Sequence, residues 1–442
     1  MTITILIIYL LALIYIAIRS FSKINHFSDF FIAQKKGSYI AVTGSLIATI
    51  LGGSAVIGAI DAGKSMGWAT CWFMLCASLG LLALIPLSKK INKIGRFTLP
   101  ELLEDMYGKQ TKNIASVTIP VAWIGIVAAQ IIAASKILQS FTGISYVTGV
   151  IIAGIVFIGY TVAGGQISIL KTDSLQAILI ILGLLLIAIY AYQYTPTEKQ
   201  HATLAFPFNA NFKPIDLLIL IITYSTTFTA GPDIYSRLFC AKNEQTAQRS
   251  ILTTAFILIP VALLIGYLSV IGIQLGDTIK GARIIGISQS VLPQWLVPFV
   301  VISLLSAVLS SADTTILSSS IILTELMEKN EFGPASIRKT RLMIFIIGSI
   351  SILIALNFTS IIGMLLIALT VYSGAFTLPI ILGLIEVKIK PAYVSSAVIC
   401  GGIIALTGKI SGLYIDALWG NLIIVSSFVA NGIILLLGRQ KK

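Results

Sequence analysis

Apolar stretches of about twenty residues recur along the whole chain, and this recurrence restricts the fold more than any other feature. A helix needs roughly 20 residues to cross a ~30 Å hydrocarbon core, and inside lipid its backbone polar groups must be satisfied within the protein. Of the 442 residues, 57% are hydrophobic and 11% charged, with a mean hydropathy of +0.99, far from the mix of a soluble domain. A membrane β-barrel would show short alternating segments instead. The pattern predicts an all-α integral membrane protein with thirteen spans, over 2–20, 37–62, 67–88, 113–140, 145–164, 171–195, 215–232, 249–276, 293–325, 341–357, 359–385, 391–408 and 415–438.

An odd number of spans puts the termini on opposite sides. With the N-terminus outside and the C-terminus cytoplasmic, 23 of the 30 Lys and Arg residues fall in the inner loops, as the positive-inside rule requires; Arg237 is counted among them, just after the seventh span. The net charge of +13 is then a matter of topology in a cell membrane, and no basic domain is present to hold nucleic acid. The first span has no charged segment before it and is followed by Arg19 and Lys23, so it reads as an anchor and not as a cleaved signal. No loop is long enough for a soluble domain. His26 and His201 lie in loops without a nucleophile–base or zinc pattern, and Cys71, Cys76, Cys240 and Cys400 lack metal-ligand spacing. These residues argue against an enzyme and place function inside the bundle, with lipid and a small solute as the expected partners and no protein partner.

Two spans carry breaks. GSLIATILGGSAVIG (44–58) is interrupted at Gly52–Gly53, and TYSTTFTAGPDIYSR (223–237) at Gly231–Pro232. Gly pairs and Pro also occur in membrane helices for packing and kinks alone. These two breaks stand five helices apart, the offset of two five-helix repeats, and discontinuous helices at matching repeat positions are where transporters hold ions and substrates. The expected organisation is an N-terminal helix and loop (1–36), a first inverted repeat (37–195), an outer loop and second inverted repeat (196–386), and two further helices (387–442).

The ninth span contains SAVLSSADTTILSSS (306–320), eight hydroxyls and one carboxylate in fifteen residues. Positions 307, 310, 311 and 314 share one helix face. Small hydroxyl residues there either permit close helix packing or supply oxygen ligands to a hard cation. A carboxylate within a span, Asp313, usually marks an ion path, unless it pairs with a basic residue or a helix end.

GYTVAGGQISILKTDSLQAILI (159–180), RFTLPELLEDMYG (96–108), GPDIYSRLF (231–239) and SAVLSSADTTILSSSIILTEL (306–326) together resemble the sodium:solute symporter family, which includes bacterial proline, sialic acid and galactose symporters. Gln166 departs from the large apolar residue usual after the Gly pair. The resemblance implies a ten-helix core of two inverted five-helix repeats, with one helix before it and two after, and sodium as the coupling ion. It carries the main sodium site onto the carbonyls of Ala48, Leu51 and Ala307 and the hydroxyls of Ser310 and Ser311. A second cation site found in some members falls on Asp173, Ser310, Asp313 and Thr314, where Asp313 stands in place of a serine; a second sodium and a shared proton are both open there. Substrate contacts fall on Tyr224, Phe228 and Pro232, spaced by four, and on Gly52, where relatives often have serine. Gln130, an isolated amide, either faces that cavity or makes a core hydrogen bond. The pocket lacks the dense polar set a hexose requires, so an amino acid or small carboxylate is expected. Proton coupling in the same fold and a solute-sensing receptor remain the alternatives.

Overall fold

The computed structural model describes residues 2–21, 27–94, 98–193, 206–275, 282–328 and 334–440; His26, His201 and Arg96 lie outside them. The described residues form helices: α1 (Thr2–Phe21), α2 (Phe27–Ile32), α3 (Tyr39–Ile50), α4 (Gly53–Met66), α5 (Cys71–Ile94), α6 (Leu99–Tyr107), α7 (Lys109–Thr142), α8 (Tyr146–Gln193), α9 (Pro214–Leu220), α10 (Thr226–Ala230), α11 (Pro232–Cys240), α12 (Glu244–Gln274), α13 (Arg283–Val291), α14 (Val297–Met327), α15 (Pro334–Asn357), α16 (Ile361–Leu384), α17 (Pro391–Tyr414) and α18 (Ala417–Leu437). Starts are set by local chemistry. Ser38 caps α3 through the Ala41 N–H, Asn243 caps α12 through the Thr246 N–H, and Pro232, which lacks an N–H, opens α11.

Among the described residues, ten helices are long and apolar enough to cross a membrane. The difference from thirteen expected spans has three local causes. α1, apolar along Thr2–Phe21, falls outside that count; the span expected at 37–62 is divided at Gly52, with its second half counted together with α5 as Gly53–Ser88; and the spans expected at 145–164 and 171–195 are the two arms of α8, counted as one. Inside α8 the backbone turns at Gly165, whose φ of 56° and ψ of −168° belong to a region open essentially to glycine, and the Phe30 ring lies where a Cβ would project.

The hydroxyl-rich helix α14 is the axis of the bundle: 94% of its most apolar window is buried, against 28% for α18. It packs against α3, α4, α7, α8 and α15, while α17 and α18 pair with each other beside α16. Much of the α14 hydroxyl content is spent on its own backbone. Thr315, Ser318, Ser319, Ser320 and Thr324 donate to the carbonyls four residues back, at 2.5–2.8 Å, which lets polar side chains sit in a span without an unmet donor. Ser306 instead shares a 2.7 Å hydrogen bond with Tyr9 of α1. Cys71, Cys76 and Cys240 are buried free thiols and Cys400 is exposed.

Gly165→Ala should lower stability by about 1–3 kcal/mol, from the disfavoured backbone region together with the Phe30 contact. Thermal unfolding in detergent would read this as a fall of several degrees, which Gly159→Ala, where a Cβ meets nothing, should not reproduce.

Candidate ion and solute site

A regular helix through residues 48–54 would offer the N–H groups of Gly52, Gly53 and Ser54 to the carbonyls of Ala48, Thr49 and Ile50. The turn at Gly52 removes that possibility, and neighbouring helices take over. The Ser310 hydroxyl donates to the Ala48 carbonyl at 2.9 Å and the Ser311 hydroxyl to the Thr49 carbonyl at 2.8 Å. Gln130 of α7 accepts from the Ser54 N–H at 3.2 Å through Oε1 and donates to the Ser54 hydroxyl at 2.7 Å through Nε2. A Cβ on residue 52 would collide with Ser311 and press on Gln130, so the close approach of these groups requires glycine here.

Three of the five predicted sodium ligands are thereby joined directly, the Ser310 hydroxyl reaching the carbonyls of Ala48 and Ala307, the latter at 3.2 Å, while Ser311 beside it on α14 bonds Thr49 instead. Leu51, fully buried, caps α3 and gives its N–H to Ile47 at 2.8 Å, while its carbonyl takes no part in the backbone bonds closing the break. Carbonyl and hydroxyl oxygens without a net charge suit a hard monovalent cation, which needs several oxygens in place of its water shell.

The second break is closed by tyrosines. α10 ends at Ala230, Gly231 is extended, and α11 begins at Pro232. The Tyr235 hydroxyl donates to the Thr229 carbonyl at 2.9 Å, and the Tyr372 hydroxyl to that of Ala230. A cavity of about 40 Å³ separates the two breaks, lined among others by Thr49, Gly52, Gln130, Tyr224, Phe228 and Ser311. It has room for water-sized molecules only, so a solute enters by moving the walls. Tyr224 and Phe228 stand with ring centroids 5.1 Å apart. Pro232 is buried next to the lining residue Asp233. Gln130, for which two readings were open, both lines the cavity and makes a core hydrogen bond. Trp123, Thr49 and Asp233 also line it, and none of the three stood out in the sequence.

One expectation is corrected. Arg237, counted as an inner-loop residue, is fully buried in α11 and forms an ion pair with Asp173 at 3.3 Å. The same Nη2 donates to the Thr314 hydroxyl, and Ser45 donates to Asp173 Oδ2. Thr314 in turn donates to Asp313 Oδ1 at 3.3 Å and to the Ser310 carbonyl at 2.7 Å. The residues expected at a second cation site, Asp173, Asp313, Thr314 and Ser310, are therefore one connected cluster that already contains a guanidinium. Asp313 Oδ2 and Asp173 Oδ1 remain buried without hydrogen-bond partners. The departing residue Gln166 is buried beside Cys240.

Two broken helices meeting a hydroxyl-rich central helix around a closed cavity define a helical membrane transporter core. The comparisons with known proteins give the family. The sequence profile of the sodium:solute symporter family matches residues 30–401. A sodium/proline symporter of Haemophilus influenzae is 22% identical over 385 residues, 79% of this chain and 76% of that protein. The osmoregulated proline transporter OpuE of Bacillus subtilis is 21% identical over 433 residues, 92% of this chain and 88% of that one. The substrate-bound outward-open structure of a Na+-coupled sialic acid symporter matches the fold with a TM-score of 0.80 at 18% identity, covering 100% of this chain and 98% of that chain. The chain belongs to the sodium:solute symporter family. It is a multi-pass membrane transporter and not an enzyme, of a family that couples solute uptake to sodium.

Removing one partner of a buried ion pair leaves the other charge stranded, at a cost of about 3–5 kcal/mol. Arg237→Met should therefore lose folded yield and thermal stability severely, and Asp173→Asn in the same chain should restore part of both. Equal instability of the single and double variants would contradict the pairing.

Proposed function

We propose that this chain imports a small organic solute by sodium-coupled alternating access across the cell membrane, with its N-terminus outside and its C-terminus cytoplasmic. The observation that carries this reading is the oxygen cluster shared by the α3 break and α14, where Ser310 touches the carbonyls of both helices. Sodium bound by Ala48, Leu51, Ala307, Ser310 and Ser311 takes over bonds that Ser310 and Ser311 now make, and holds the break against α14. The break also lines the solute cavity through Thr49, Ile50 and Gly52. Ion and solute therefore favour the same arrangement, and coupling is the free energy shared by two adjacent sites. Residues 37–195 and 196–386 act as the two inverted repeats that rock about this site, and an amino acid or small carboxylate is the cargo.

The unpartnered Asp313 Oδ2 favours a second bound cation. Two carboxylates against one guanidinium leave one negative charge uncompensated. A second sodium or a proton fills it, and the latter is the route to a proton-coupled symporter.

In proteoliposomes, uptake should require an inward sodium gradient and fail when choline replaces sodium. Ser310→Ala should weaken apparent sodium affinity on the order of tenfold or more, the worth of a hydrogen-bonding ligand in a buried site, while Ser318→Ala, whose hydroxyl bonds only its own helix, should not. Sodium-independent uptake would contradict the reading. For the second cation, Asp313→Asn should reduce the number of sodium ions moved per solute, or remove a pH dependence of uptake; an unchanged one-to-one ratio and an unchanged pH profile would exclude it.

A further inference from the structure

We propose that the transported solute carries a cationic ammonium group and that Asp233 binds it; the inference rests on the reading of the broken-helix cavity as the solute site. Asp233 is the second residue of α11, directly after the break, and its half-buried side chain lines the cavity. Its Oδ1 is buried with no hydrogen-bond partner, and among the described residues it has no ion pair. Arg237, one helical turn on, is committed elsewhere: it donates to Ser236, Asp173 and Thr314.

An ionised carboxylate only accepts hydrogen bonds; Asp233 takes the backbone N–H groups of its own residue and of Ile234 at the start of α11 and feels the Arg237 charge one turn on, yet its Oδ1 remains without a donor at the cavity, which is costly unless the cargo brings one. The aromatic faces of Tyr224 and Phe228 line the same space, and such faces attract a cation as the carboxylate does. Two other buried polar atoms in the lining lack partners: the Trp123 indole N–H, which donates only, and the Thr49 hydroxyl. The cavity thus offers one anionic acceptor together with neutral donors, the complement of an ammonium joined to a group that accepts hydrogen bonds, as in an amino acid. A plain carboxylate would meet the donors but would leave Asp233 unpaired and add a like charge beside it. Of the two cargo classes the sequence leaves open, the geometry therefore selects the amine-bearing one.

The test is ligand binding by the purified full chain in detergent, read by thermal shift and titration, in sodium and in choline. Probes are pairs differing in the ammonium: L-alanine and propionate, L-proline and cyclopentanecarboxylate, glycine and acetate. At least one ammonium-bearing member should bind on the order of tenfold or more tightly than its partner, the scale of a charge-assisted hydrogen bond in a desolvated site. Asp233→Asn should collapse that preference to within about threefold while sodium alone still shifts the melting temperature as in the natural chain. Asp233→Glu, which keeps the charge, should retain the preference. Equal binding within every pair, binding of no ammonium-bearing member, or a preference that persists in Asp233→Asn overturns the proposal. A preference that is intact but identical in choline leaves the Asp233 assignment standing and overturns sodium coupling instead.

Discussion

A backbone carbonyl or N–H released by a break in a membrane helix has no water to turn to, so another part of the protein must supply its partner. At the α3 break those partners are Ser310 and Ser311 of α14 and Gln130 of α7; at the α10 break they are Tyr235 and Tyr372. The requirement ties each broken helix to an unbroken neighbour through specific polar bonds. It also makes those bonds exchangeable, since a cation can replace the hydroxyl proton at a carbonyl at little cost in geometry. An α14 made of Leu and Val would leave the Ala48 and Thr49 carbonyls stranded, and the break could not persist.

Next to this neutral oxygen cluster lies a charged one. Thr314 connects them, donating to the Ser310 carbonyl and to Asp313 while receiving the Arg237 guanidinium. Asp173 belongs to α8, Arg237 to α11 and Asp313 to α14, so three helices from different parts of the chain are held by one ion-pair network in which breaking a single member is more damaging than removing a pair. Arg237 and the cavity residue Asp233 lie one turn apart on α11, so the charge cluster and the cavity lining share one short half-helix.

Much of this was legible in the sequence. Glycine pairs, a Gly–Pro step and helical spacing of hydroxyls reported the breaks and the face of α14, because lipid allows few other uses for such residues. The longer reach of α11 was not read, since the seventh span was ended at Pro232. Yet a proline at the first helical position, an acidic residue in the first turn and Arg237 in the last are ordinary signals of a helix continuing from 232 to 240. Treating Arg237 as a loop cation followed from that boundary, so its place beside Asp173 and Thr314 was not read. Asp233, Trp123 and Thr49 left no periodic signal at all; a single polar residue in an apolar context reveals its use only when the surrounding helices show whether its polar atoms find partners. The junction within α8, by contrast, was read: the separate spans expected at 145–164 and 171–195 part where the non-helical backbone of Gly165 divides the run into two helical arms.

The central claim is that sodium joins the α3 break to α14. Hydrogen–deuterium exchange of the full chain in sodium against potassium, at matched ionic strength, tests it most directly. The account predicts slower exchange in sodium for peptides containing residues 48–56 and 307–315, with the peripheral hairpin of α17 and α18 unaffected. Equal exchange in both salts at those two segments, or protection spread evenly over the bundle, would contradict it.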